Sequence, residues 1–310
     1  MKKIWYLVIG VVIVGLFASF FGQKFIGSTS IKKDNTQKVV GISLKDRLIV
    51  LNVKNNTSEI LELGETNKVL FTDSKAKSKI KTFADFTNKN DILITNNSNQ
   101  LIDVKFDGAN KMDSIVSGDF SSQEFVLSPS GKKLAFITFS NAERDYGYSL
   151  NIADANGKNS KSVLKQSQLF GKLSWLNDNK LFFIDSGESS SSIKLIDLTN
   201  NSISSIYAAW QNTNLYDLSV IKNRIYFSQD SITDNSTELL SLDLTGKDLI
   251  KIVKEKGYIR NIVGSPDETK LAYLVKSKVD GDNGSVLTID LNGQNKQDIA
   301  VASKILTWLP

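Results

Sequence analysis

From Phe83 onward the chain alternates short apolar runs with tight polar turns, and the alternation repeats. The clearest unit covers residues 125–165: FVLSPSGKKLAFITF, a polar loop, then YSLNIADANGKNSKSVLK. It recurs from Leu173 (LSWLNDNKLFFID, then SIKLIDLTNNSISSIY), from Leu218 (LSVIKNRIYFSQ, then ELLSLDLTGKDLIKIV) and from Ile262 (IVGSPDETKLAYLV, then SVLTIDLNGQNKQDIA). A degenerate copy starts at Phe83. Each unit reads strand, tight turn, strand, polar loop, strand, tight turn, strand. The apolar–polar alternation of IKLIDL and LLSLDL marks strands half-covered on each face. The Asn, Asp and Gly turn residues supply the left-handed backbone or side-chain-to-backbone bonds that hairpins need. Turns after the third strand fall at Gly108, Gly157, Asn200, Gly246 and Gly293, a period of roughly 46 residues. Four short antiparallel strands per period predict propeller blades, and no window predicts a long soluble helix.

The first copy is incomplete. Residues 39–44, 47–53 and 58–63 read as second, third and fourth strands with no first strand before them. The C-terminal KILTWLP (304–310) matches KLSWLN (172–177), a first strand with nothing after it. The C-terminal strand is therefore expected to complete the first blade and close the ring, removing an exposed sheet edge. Residues 38–310 hold about six periods. The expectation is an all-β, six-bladed β-propeller of four-stranded antiparallel blades, with seven blades as the alternative.

Ahead of the repeats, Ile4 to Gly22 carries no charge, and at 1.5 Å per residue it matches the ~30 Å apolar core of a bilayer. Lys2 and Lys3 precede it, while only Lys24 closely follows. The positive-inside bias puts the N-terminus in the cytoplasm and the repeats outside. Residues 1–22 are expected to be an uncleaved transmembrane signal anchor, 23–37 a polar tether, and 38–310 an extracytoplasmic propeller. A cleaved signal peptide is the competing reading, but the apolar run is long and Ala18-Ser19-Phe20 puts a bulky residue where cleavage needs a small one.

Composition narrows the chemistry. The chain has no Cys and no His, so thiolate nucleophiles, disulfides, a Ser-His-Asp triad and His-ligated metals are excluded. Net charge is +5, but Lys and Asp/Glu alternate without a basic run interleaved with aromatics, which disfavours nucleic acid. No cofactor is expected.

The turns Ser128-Pro129-Ser130-Gly131-Lys132-Lys133-Leu134-Ala135-Phe136 and Ser265-Pro266-Asp267-Glu268-Thr269-Lys270-Leu271-Ala272-Tyr273 resemble the SPDGKKLAF element of TolB-like, WD-like propeller repeats. Residues 154–157, 243–246 and 290–293 resemble the DxxG turn that ends their third strand. The resemblance covers the propeller only. TolB proteins carry an additional N-terminal α/β domain and are soluble, so a role in the Tol complex is not implied. Similar propellers precede the hydrolase domain of prolyl-oligopeptidase-like enzymes. Here anchor, tether and propeller are expected to use the whole chain, leaving no hydrolase domain.

Candidate sites are few. Trp175 and Trp308 hold equivalent first-strand positions and read as packing residues. Trp210 stands in a polar connection between blades, either as an exposed anchor for protein or sugar contact or folded onto a blade. Tyr146 and Tyr148 in the loop 141–148 carry the same two readings. Asp280 and Asp282 superficially resemble a calcium loop, but Gly284 and Leu291 stand where an EF-hand needs an oxygen ligand and a Glu. Asp154, Asp197, Asp243 and Asp290 recur at one blade position, as turn-capping residues do. The long loops between second and third strands, with the connections between blades, are expected to share one face pointing away from the membrane. The sequence thus points to a non-catalytic module binding a protein or envelope polymer. The alternatives are a carboxylate-based glycan-active enzyme and a propeller sensing a small ligand or cation.

Overall fold

The computed structural model describes residues 47–309 apart from 55–56, 64–66, 74–79, 83–85, 89–90, 97–100, 106–111, 117–123, 143–145, 188–189, 232–233, 235 and 279–282. The expected anchor (1–22), the tether (23–37) and the strand expected at 39–44 lie outside the described residues. Among the described residues, no helix is long and apolar enough to cross a membrane.

The described chain is an all-β propeller of antiparallel blades. β1 (Arg47–Lys54), β2 (Thr57–Leu63) and β3 (Lys68–Asp73) open it. β4 (Ile80–Thr82), β5 (Phe86–Asn88), β6 (Asp91–Asn96), β7 (Leu101–Lys105) and β8 (Met112–Val116) form the next sheet. β9 (Phe125–Leu127), β10 (Lys133–Ser140), β11 (Gly147–Asp154) and β12 (Lys161–Gln166) form a four-stranded blade in chain order. So do β13 (Phe170–Asn177), β14 (Lys180–Ser186), β15 (Ser191–Asp197) and β16 (Ser202–Ala208). β17 (Leu215–Ile221), β18 (Arg224–Asp230), β19 (Ser236–Asp243) and β20 (Ile250–Lys256) form another. β21 (Tyr258–Gly264), β22 (Lys270–Lys276), β23 (Gly284–Asp290) and β24 (Gln297–Ala302) follow, and β25 (Lys304–Leu309) returns to pair with β1.

Two expectations are corrected. The C-terminal strand does complete the first blade, in the order β25-β1-β2-β3, with Trp308 opposite Leu48. But the strands from Arg47 and Thr57 are the second and third, not the third and fourth. The fourth is β3, in a stretch expected to be loop because polar residues 64–67 and 74–79 surround its short apolar core. Secondly, five sheets are four-stranded, whereas the sheet from residues 80–116 has five strands instead of the regular four expected of every blade. There β4 and β5 lie in tandem along one edge of β6, pairing Ile80 with Asn96 and Phe86 with Ile92.

The second strands explain the packing. In β14, Leu181 and Phe183 enter a cluster with Ala135, Ile137 and Leu150 of the preceding blade. The alternating Phe182 and Ile184 enter a cluster with Leu218, Ile225 and Phe227 of the following one. Period-two alternation thus buries both faces of a strand sandwiched between sheets. The same sharing joins Tyr226 and Leu239 to Leu271 and Tyr273, and Ala272 and Leu274 to Leu48, Ile305 and Trp308. The first strands of successive blades, β9, β13, β17, β21 and β25, contact one another in turn, so they are the innermost.

The third-to-fourth-strand turns at Gly157, Asn200, Gly246 and Gly293 form where expected, and the one expected at Gly108 lies outside the described residues. Gly246 and Gly293 adopt φ of +83° and +84°. A Cβ there would stand 2.0 Å from Ile206 O and 2.5 Å from Ile252 O, on the outer strands of the preceding blades. Both the backbone conformation and the packing between blades demand glycine.

Candidate functional site

The connection leaving β16 is pinned at both ends. Ala209 N donates to Ser191 O at 2.9 Å, and Thr213 closes a turn by donating from N and Oγ1 to Trp210 O at 3.1 and 2.7 Å. The backbone is held while the Trp210 side chain is 68 % exposed, so it is not folded onto a blade. An indole left in water on a fixed turn is unusual for a packing residue.

Beside it lies a cleft of about 420 Å³. The connection supplies Gln211, Asn212 and Thr213; β17 supplies Tyr216; the β18–β19 loop supplies Asp230, Asp234 and Ser236. Gly257 and Tyr258 come from the next connection between blades. The cleft thus brings inter-blade connections and a second-to-third-strand loop together on one face, as expected. One Asp230 oxygen accepts from Asn214 N at 3.2 Å and Asn214 Nδ2 at 3.1 Å. Arg260 lies 4.1 Å over the Tyr216 ring and donates to Tyr216 O at 3.1 Å, and Tyr258 meets that ring edge-on at 5.6 Å. Burial, reinforced by the Asp230 hydrogen bond, pushes the Tyr216 phenol well above its ordinary range, so it stays a neutral group. The Ser236 hydroxyl, then Lys254 at 3.0 Å, holds the Asp234 carboxyl below the usual range.

The two tyrosine candidates separate. Tyr146 is 63 % exposed and stands edge-on to Phe139 at 5.6 Å. Tyr148 packs on Phe139 at 4.8 Å and against the core between blades, which makes it a supporting residue. Asp280 and Asp282 lie outside the described residues. Among the described residues, no three His, Cys, Asp or Glu side chains group closely enough to hold a metal. The repeated aspartates cap turns: Asp243 Oδ1 accepts from Thr245 N, Thr245 Oγ1 and Lys247 N at 2.8, 2.7 and 2.9 Å. Asp197 serves Thr199 in the same way, and Asp154 and Asp290 accept from Asn159 and Asn295 at 2.6 Å.

A second cluster was not anticipated. Glu124, Lys172, Asp217, Asn261 and Lys304 each stand one residue before a buried apolar residue of an innermost strand, namely Phe125, Leu173, Leu218, Ile262 and Ile305. Lys172 Nζ bridges to Glu124 Oε1 at 2.6 Å between two blades. Asp217 accepts from Leu218 N at 2.8 Å and from Asn261 N of the next blade at 2.6 Å. Lys304 is half-buried at the start of β25, where the packing desolvates its ammonium group. That desolvation pulls its pKa well below the lysine range; Lys172 and Lys276 add to the effect, and Glu124 and Asp217 oppose it. The sequence signal was present, since a charged or amide residue precedes the inner-strand apolar residue in every complete copy.

No protein-family model matches the chain, and no curated protein matches it in sequence. Solved structures do. A putative TolB from Agrobacterium tumefaciens is similar with a TM-score of 0.67 at 10 % identity, covering 85 % of this chain and 96 % of that one. TolB from Acinetobacter baumannii gives 0.67 at 13 %, covering 86 % and 68 %. An oligogalacturonate lyase in complex with manganese gives 0.58 at 9 %, covering 78 % and 70 %. At these identities the likeness shows the fold, a TolB-like propeller architecture, which hosts both non-enzymes and enzymes.

Proposed function

We propose that this chain is a membrane-anchored, extracytoplasmic propeller of six blades acting as a non-catalytic binding scaffold for a protein or an envelope polymer. The sheet at residues 80–116 is read as the sixth blade, with β4 and β5 as one interrupted inner strand. The registers of β13, β17 and β21 also shift partway along the inner strand, which supports that reading. The uncharged run from Ile4 to Gly22 supports the anchor.

The observation that carries the binding role is Trp210, an exposed indole on a pinned connection whose next three residues line a formed cleft. Rigid blades with loops presented on one face divide labour as binding scaffolds do. The central carboxylates favour structure over catalysis: Glu124 is paired with Lys172, and Asp217 accepts two backbone N–H groups. A glycosidase-type pair needs one carboxyl free to act as acid and one as base or nucleophile.

A photo-crosslinking residue at position 210, compared in cells with one at Asn156 on an exposed turn after a third strand, tests this reading. A discrete adduct at 210 and none at 156 is expected. Adducts at 156 alone, or equal labelling at both, would overturn it.

A further inference from the structure

We propose that the cleft beside Trp210 binds a neutral or amino-bearing sugar segment of a glycan, with the Trp210 indole as stacking platform. This rests on the scaffold reading and specifies its polymer partner. A cavity of about 420 Å³ lies within the range of small-molecule sites. Its lining is the reverse of an apolar ligand's pocket: amides from Gln211 and Asn212, hydroxyls from Tyr216 and Ser236, and carboxylates from Asp230 and Asp234. A pyranose presents C–H groups on its faces and hydroxyls around its edge. A lining of mixed donors and acceptors complements the hydroxyl edge, where each buried hydroxyl needs a partner, and Trp210, the residue before Gln211 on the same connection, has an exposed indole to offer the C–H face.

Charge selects among sugars. No Lys or Arg lines the cleft among the described residues. The nearby cations are committed elsewhere: Lys254 bridges Asp234, and Arg260 lies over the Tyr216 ring with a bond to its carbonyl. A uronate or phosphate polymer would bring like charge against Asp230, the cleft carboxylate that Lys254 does not bridge, whereas the ammonium of a deacetylated amino sugar meets attraction there. The site is also preformed. Asn214 ties the connection to Asp230, and Tyr258 buttresses Tyr216, so little ordering entropy is left to lose on binding.

The test is calorimetric titration of the full chain, held in a detergent without a sugar headgroup. The probes are the tetramer of N-acetylglucosamine, its deacetylated form and tetragalacturonate. The deacetylated tetramer is expected to bind tightest, the acetylated one several-fold more weakly, and tetragalacturonate not at all. Trp210→Ala should weaken both amino sugars about tenfold or more. Asp230→Asn should weaken only the deacetylated tetramer, removing charge while keeping shape. If melting shows that Asp230→Asn is misfolded, Gln211→Ala on the exposed connection replaces it, with a several-fold loss expected. No binding of either amino sugar, or preference for tetragalacturonate, overturns the inference. Crosslinked adducts at position 210 alongside absent sugar binding would remove the sugar while leaving the scaffold reading intact.

Discussion

Trp175 and Trp308 hold the same register position in two blades, opposite Leu181 and Leu48, but only one indole has an acceptor. Trp175 Nε1 donates to Val126 O of the preceding blade at 3.1 Å, whereas Trp308 Nε1 is buried without an acceptor among the described residues. Both rings fill space between blades, so truncation to Phe costs each some packing. Trp175→Phe should additionally lose a hydrogen bond and be more destabilising than Trp308→Phe by about 1 kcal/mol. Urea unfolding of the two variants measures the difference.

Trp210 reverses the pattern. Its side chain is exposed, so Trp210→Ala should change unfolding free energy by less than about 0.5 kcal/mol. Trp175→Ala should cost about 3–5 kcal/mol. Melting curves of the two variants separate a presented residue from a packing one.

The turn aspartates contribute to the acid limit. Hydrogen bonds from Lys247 N and Thr245 hold the Asp243 carboxyl below its usual range, and Thr199 does the same for Asp197. A carboxyl with a depressed folded-state pKa contributes fully above the unfolded value of about 4 and loses that contribution as pH falls through the folded value. Replacing Asp197 and Asp243 together by Asn should flatten the fall of melting temperature below pH 4 and leave its slope near pH 7 unchanged.

Lys304 contributes on the opposite limb. Its folded pKa is depressed, so the unfolded chain binds one more proton between that value and about 10.4. Stability therefore rises with pH across that window. Lys304→Met removes the titrating group from among Glu124, Lys172, Asp217 and Lys276 and should flatten the alkaline rise. Denaturation at a series of pH values from 7 to 10 measures it.

How far the sequence reached follows from what it encodes locally. The turns at Gly246 and Gly293 were legible because their backbone conformation and the approach of Ile206 and Ile252 leave no other residue. Closure was legible because KILTWL repeats KLSWLN. The strand assignment in the first blade slipped by one place because β3 holds only a short apolar core between polar stretches. At the site, Trp210 stood out as an aromatic in a polar connection. The cleft around it did not, since Tyr216 and Asp230 meet through the pairing of β17 with β18 and Tyr258 joins them only through blade stacking. The charged positions Glu124, Lys172, Asp217 and Lys304 were visible as a repeat-locked column, but their convergence depends on ring geometry and not on any one segment.

Ring closure carries the rigid presentation of Trp210, and the absence of Cys makes it directly measurable. Arg47 and Leu309 are opposite one another in the antiparallel pair of β1 and β25, where Cα atoms stand about 4.5–5.5 Å apart, within disulfide reach. The double variant Arg47→Cys, Leu309→Cys should form an intramolecular disulfide under mild oxidation, seen as a faster-migrating monomer on a non-reducing gel. A persistently reduced monomer, or crosslinked dimers in its place, would contradict closure of the first blade by the C-terminal strand.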